Sequence, residues 1–144
     1  IYGPGRLPLD RLRKGEPVIN EAEAPIVNRI HVDDLIEACV AVMSNDQARG
    51  VYNVSDGNGY SLTAYFKMLA DLAQLPQPPH VHLEEAQLTL SPEYLSYLGE
   101  SRRISNERMV NELGVKLRYA DLEAGLRASL AEEAAHEARR NGKK

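Results

Sequence analysis

Several things this sequence lacks narrow its reading first. It has a single cysteine, Cys39, so neither an intrachain disulfide nor a cysteine-built zinc site is open to it. Cys39 falls inside an apolar helical pattern, which reads as a buried, inert thiol rather than a nucleophile. There is no excess of positive charge: the formal net charge of -4 leaves no electrostatic footprint for nucleic acid and no basic patch for a membrane surface. No apolar run approaches the roughly 20 residues that a bilayer-spanning helix needs. The start, Ile1-Tyr2-Gly3-Pro4-Gly5, is neither a signal peptide nor an initiator methionine, from which a fragment or a processed product is expected. A cytoplasmic protein is the default expectation.

What is present is the composition of a globular protein. Of 144 residues 43% are apolar and 26% charged, the size of one ordinary domain with enough apolar material for a core. No repeat is visible, and the only biased tract is the charged, alanine-rich tail. The glycines and prolines around Arg6 predict a loop leaving the end of a strand. Leu9 to Lys14 predicts a short helix stopped by Gly15. Val18 to Ala24 reads as a polar hairpin or loop, and Ile26 to Val32 as a short strand. Asp33 and Asp34 open a helix to about Met43, with Leu35, Ile36, Cys39, Val42 and Met43 as its buried stripe. After a turn from Asn45 to Gly50, Val51 to Val54 reads as a compact strand. Ser61 caps a helix to about Leu75 whose Leu62, Phe66, Leu69, Ala70 and Leu72 point inward.

Pro76, Pro78 and Pro79 forbid helix in the next segment. Helix resumes from Leu83 to Leu90, and again after Ser91-Pro92-Glu93 as far as Gly99. Arg102 to Ser105 reads as a short strand. A helix from Asn106 ends at Gly114, and Asp121 caps a last one that frays from Arg139. Strands alternating with helices predict an α/β fold, with too few strands for an independent sheet.

Several residues attract a functional reading and a plainer one. Gly57 and Gly59 imitate a phosphate loop, but no third glycine follows and Asp56 would repel an anion, so a turn explains them better. His31 reads as structural, bridging backbone groups beside the helix start. His80 and His82 would share one face of a strand with no third ligand to complete a metal site. Asp33 and Asp34 read as capping carboxylates rather than an acid/base pair, since adjacent helix-start positions face different ways. Arg102 and Arg103 could line a pocket or pair with Glu93 and Glu100.

Four stretches, in order, resemble one family. Ile1-Tyr2-Gly3-Pro4-Gly5 is similar to the Tyr-Gly-Pro segment that follows the sixth Rossmann strand of extended short-chain dehydrogenases/reductases. Asn28-Arg29-Ile30-His31-Val32-Asp33-Asp34-Leu35 resembles their "(Ile/Val)-His-Val-x-Asp-Leu" segment. Gly50-Val51-Tyr52-Asn53-Val54-Ser55-Asp56 is similar to the strand before their Ser/Thr-capped helix, and Asn106 to Gly114 resembles their "Glu-Leu-Gly" helix. The nearest flavour is the atypical, NAD-dependent epimerase/dehydratase-like group. The resemblance implies the carboxy-terminal portion of an NAD(P)-binding Rossmann-type fold with a small, mostly helical substrate lobe. It would be a single partial domain over 1–144 with a frayed tail from 131. It also implies NAD or NADP as cofactor of the complete protein, a small polar metabolite as substrate, and a homodimer as one possible assembly of the whole.

Two departures qualify this. The family's glycine-rich dinucleotide loop is absent. None of the seven tyrosines has a lysine four residues on, so the catalytic Tyr-x-x-x-Lys pair is missing too. A tyrosine with an ordinary pKa near 10 does not serve as acid/base at neutral pH, so the chain alone is expected to be inactive. In nucleotide-sugar epimerases an arginine that binds the substrate diphosphate stands three residues before Ile-His-Val. Here Val27 holds that place, which weakens a nucleotide-sugar substrate. The candidate pocket residues are Tyr2, Arg6, Asn28 and Arg29, with no catalytic, cofactor-binding or metal residue in this chain. Arg29 suits a carboxylate or phosphate, though an ion pair with Asp33 or another acid explains it equally well, and Arg6 is as readily a solvated side chain. A second reading stays open, a non-enzymatic relative that uses an unpaired sheet edge to bind a partner protein.

Overall fold

The computed structural model describes residues 1–88 and 92–141. In chain order its elements are α1 (Leu9–Arg13), β1 (Val18–Ile19), β2 (Ile26–Val27), α2 (Val32–Met43), β3 (Tyr60–Ser61), α3 (Leu62–Leu72), β4 (His80–Val81), α4 (Leu83–Gln87), α5 (Pro92–Leu98), α6 (Glu107–Leu113) and α7 (Leu122–Asn141). They belong to two compact units that alternate along the chain. The first holds Ile1–Leu7, Arg29–Asn58 and Ile104–Lys144, the second Pro8–Asn28 and Gly59–Arg103. The fold is α/β, as the alternation of strand and helix signals predicts.

In the first unit the helices organise the packing. His31 is the N-cap of α2: its Nδ1 accepts from the Asp33 N–H at 3.2 Å. The expected span of α2 is met, but its expected buried stripe is not. Asp34 and Ala38 face inward, whereas Ile36 and Met43 are 56% and 84% exposed and Cys39 is exposed rather than buried. Two apolar rows share this helix, and the row built on small Ala38 is the one that meets α6. There Ala38, Met109 and Val115 form a buried cluster, with Ala41, Val54, Leu113 and Leu117 packed around it. Helix α6 ends where Gly114 turns left-handed at φ +68. Asp121 Oδ1 accepts from the Ala124 N–H at 2.8 Å to start α7, which buries Leu122, Leu126 and Ser129. Helix α7 runs to Asn141, and the last three residues of the tail expected to fray lie outside the described residues.

Sheet structure in this unit is reduced to one parallel bridge between Tyr2 and His31, with Tyr2 N–H donating to Ile30 O at 3.0 Å and Val32 N–H to Tyr2 O at 2.8 Å. Val51 to Val54, expected as a strand, lies outside any ladder among the described residues, and Val51 is 79% exposed. Its residue types suit a strand, but a strand exists only where a neighbour pairs with it.

The second unit is built on α3. Ser61 Oγ accepts from the Ala64 N–H at 2.9 Å, and Leu62, Phe66, Leu69 and Ala70 are buried as their spacing predicts, together with Thr63 and Tyr65. Strand β1 pairs in parallel with β4 (Val18 with His80, Ile19 with Val81), and β2 pairs antiparallel with β3 (Ile26 with Ser61, Val27 with Tyr60). The polar-loop expectation for Val18 to Ala24 is therefore corrected. Val18 and Ile19 form a buried strand, with Thr63 Oγ1 donating to Ile19 O at 2.6 Å, and only the residues after them turn. The strand expected from Ile26 to Val32 ends at Val27. Arg102 to Ser105 is not a strand either: Arg102 N–H reaches Ile26 O at 3.3 Å, and no ladder follows. Helix α1 stops at a left-handed Gly15 (φ +65), and Arg11 lies over the Phe66 ring at 5.0 Å. The expected end of the α4 helix at Leu90 and the Ser91 cap of α5 lie outside the described residues. Among the described residues no helix is long and apolar enough to cross a membrane.

Candidate functional site

Three of the four candidate pocket residues, Tyr2, Arg6 and Arg29, belong to the first unit, and Asn28 belongs to the second. Tyr2 is buried by its bridge to His31, and its ring meets the His31 imidazole edge-on at 5.2 Å between centroids. Its phenol oxygen lies over α7, where any Cβ at Gly125 would collide with it. Arg6 is exposed, with its own N–H donating to Gly3 O at 3.1 Å across a tight turn. Arg6 and Arg29 press on a common neighbour: burial, then repulsion from these two guanidinium groups, lowers the pKa of the Ile1 amino group. Asn28 donates through Nδ2 to Arg102 O at 2.8 Å within its own unit.

Arg29 is tied to Asp56 in two ways. Its carbonyl accepts the Asp56 N–H at 2.7 Å, and its charge acts on the buried Asp56 carboxyl. Burial nonetheless pushes that carboxyl above the usual carboxylate range, against the opposing pull of the Asn58 N–H and Arg29. Oδ2 of Asp56 is buried without a hydrogen-bond partner. The sequence signal that placed Asp56 beside a false phosphate loop gave no hint of this burial.

The glycines of that loop serve a turn, as expected. Gly57 sits at φ +82, its N–H donates to Ser55 Oγ at 3.3 Å, and the Asn58 N–H donates to Asp56 Oδ1 at 2.8 Å. The N–H groups that a pyrophosphate would need are thus already committed to side chains, with a carboxylate among them. The residues of this loop do not fit a dinucleotide.

His31 carries the most elaborate geometry in the chain. Its ring is 1% exposed and lies 4.1 Å from the Tyr119 ring, with Tyr2 on its edge. Nε2 is 3.2 Å from Ser129 Oγ, a pairing 98 residues apart that looks like a serine–histidine dyad. The hydrogen bonds argue otherwise. Ser129 donates its hydroxyl proton to Gly125 O at 2.8 Å, so Oγ accepts from a protonated Nε2, while Nδ1 is taken by the Asp33 N–H. Neither nitrogen is left to serve as a base, and His31 is structural, as its position beside the helix start suggests.

The capping role expected of Asp33 and Asp34 is corrected by the same geometry. His31 supplies the cap, and Asp33 lies 3.7 Å from its Nδ1. Asp34 is buried and accepts the N–H groups of Arg118 (2.7 Å) and Tyr119 (2.9 Å), fixing the loop that delivers Tyr119 to His31. Sequence reasoning missed this tie, as well as Tyr119 and Ser129. The one available signal was the spacing of Asp34 four residues before Ala38, on the row that faces inward. Among the described residues no group of three or more His, Cys, Asp or Glu could hold a metal ion, and His82 pairs with Glu23 at 3.2 Å.

No protein-family model matches the chain, and no curated sequence does so significantly. Among solved structures, a functionally unknown conserved protein from Silicibacter pomeroyi is 36% identical, with a TM-score of 0.81 over 91% of this chain and 46% of that protein. The human epimerase family protein SDR39U1, solved with NADPH, has a TM-score of 0.69 at 16% identity, covering 83% of this chain and 40% of its own. MoeE5 in complex with UDP-glucose and NAD gives 0.65 at 22% identity, over 94% of this chain and 44% of its own. The chain spans less than half the length of each. It has the fold of part of an NAD(P)-binding, Rossmann-type protein.

Proposed function

We propose that this chain is the substrate-side, carboxy-terminal part of an extended short-chain dehydrogenase/reductase. The whole would be an NAD(P)-dependent oxidoreductase or epimerase/dehydratase acting on a small polar metabolite, and this part would be inactive alone. The observation that carries the reading is the state of the sheet in the first unit. Tyr2 and His31 make a single parallel bridge, and the β-prone run from Val51 to Val54 has no ladder. Such edges are what remain of a sheet whose other strands lie elsewhere. The length ratio to the solved structures agrees with this, since more than half of each has no counterpart in the chain.

In this reading Tyr2, Arg6, Asn28 and Arg29 contribute to the substrate side, and NAD or NADP binds the part that precedes them. Val27 is a buried strand residue, 7% exposed, where a diphosphate-binding arginine would stand. A nucleotide sugar of the kind present with MoeE5 is therefore a poor match, and a smaller polar substrate a better one. A cytoplasmic location and a homodimer of the complete protein belong to the same proposal.

Two measurements test it. Calorimetric titration of the 144-residue chain with NADH and with NADPH should give no binding heat, and tight binding of either would overturn the proposal. The reading frame upstream of Ile1 should encode a glycine-rich strand–turn–helix. An in-frame stop just before Ile1 would be equally fatal.

A further inference from the structure

Helix α2 has two apolar rows on opposite sides. One row, Ala38 and Ala41 with the buried Asp34, is closed against α6. The other is Ile36, Val40 and Met43, at positions i, i+4 and i+7, with Cys39 beside it. At 3.6 residues per turn this second row faces away from the first. Its members are exposed to 56%, 52% and 84%, and Cys39 is exposed as well. A helix that is apolar on both sides is an interior helix.

The connection of α2 says what belongs on the open side. The helix leaves the parallel bridge at His31 and leads to the β-prone run from Val51 to Val54, where Val51 is 79% exposed. A helix that joins two parallel strands lies against the sheet that holds them. That sheet needs strands from the more than half of each solved relative that this chain does not match. A second copy of the chain is a weaker occupant. Four side chains on one helix provide only a fraction of the roughly 800 Å² per partner that a stable interface buries.

We propose that the Ile36–Val40–Met43 face of α2 is an internal packing face, covered in the natural polypeptide by an aliphatic surface of its sheet-bearing half. The inference rests on the proposal that the chain is part of a longer polypeptide. Cys39 is the reporter, because it is the only cysteine here and stands beside the row. Its reaction with a disulfide reagent, followed by peptide mass spectrometry, is compared between the 144-residue chain and the protein made from the complete reading frame. The expected result is fast modification in the chain and modification slower by about a hundredfold or more in the complete protein, the protection that a packed face gives. A Cys39→Ser/Met43→Cys variant moves the thiol one turn along and should show the same contrast.

Equal rates in the two proteins would overturn the covered face while leaving the enzyme reading intact. A contrast at only one of the two thiol positions would also overturn it, as local protection rather than a face. A frame that stops just before Ile1 would sink both. Protection that appears in the 144-residue chain itself, grows with its concentration and vanishes on Val40→Glu would assign the face to a second copy and refute the proposal.

Discussion

Replacing His31 is the sharpest test of what holds the first unit together. The imidazole is 1% exposed, caps α2 through Nδ1, donates through Nε2 to Ser129, and packs between Tyr2 and Tyr119. His31→Ala removes all of this at once. Loss of the cap alone costs about 1 kcal/mol. Emptying a buried site of aromatic size brings the total to about 3–5 kcal/mol. Against a domain stability of about 5–15 kcal/mol, that is a large share. His31→Asn keeps an acceptor for the Asp33 N–H and should recover about 1 kcal/mol relative to alanine.

Urea unfolding at pH 8, followed by circular dichroism, reads these differences directly. The pH dependence adds a second arm. Burial lowers the His31 pKa from its usual 6.5, although Asp33, Asp34 and Glu132 pull it up and only Arg118 joins in lowering it. The unfolded chain therefore binds the proton more readily than the folded one. The His31 contribution is fully present above pH 6.5 and is lost as pH falls through 6.5 toward the depressed folded value. His31→Asn should flatten that part of the profile. An alanine variant that loses less than about 1 kcal/mol, or an asparagine variant no better than alanine, would refute the cap-and-packing account.

Asp56→Asn should raise the midpoint of thermal unfolding at pH 7. The Asp56 carboxyl is held above its usual 3.8 by burial, so the folded chain keeps a proton that the unfolded chain has lost, and stability declines as pH rises from 3.8 through the folded value. Asparagine keeps the Oδ1 acceptor for the Asn58 N–H and should remove the decline, whereas a lower midpoint would contradict the assignment. Gly125→Ala should destabilise despite a helix-propensity gain of about 1 kcal/mol, because the new Cβ meets the Tyr2 phenol oxygen. Tyr2→Phe in that background should return part of the loss, and strict additivity of the two changes in a double-mutant cycle would show that they do not touch.

Much of this fold is local chemistry and was open to reading from residue order. Ser61 and Asp121 are caps, and Gly15 and Gly114 are left-handed stops. The proline run ends α3, and the span of α2 follows from its period. The misses have two causes. Some are ties between distant residues that no spacing encodes: Asp34 to the Arg118–Tyr119 backbone, His31 to Ser129, and the two-residue strand Val18–Ile19, whose partner His80–Val81 lies beyond any window of periodicity. The same limit holds for the candidate pocket, since Tyr2, Arg6 and Arg29 fall in one unit while Asn28 falls in the other.

The other misses share a direction. The buried stripe assigned to α2 is its exposed row, and the strand assigned to Val51–Val54 has no ladder. In both places the residue types ask for burial or pairing that the 144 residues do not supply. Periodicity reports what a segment is suited to, and structure reports what it finds. A disagreement spread at random would point to weak signals. One confined to a helix face and the β-prone run that follows it points to a neighbour these two elements were selected to meet.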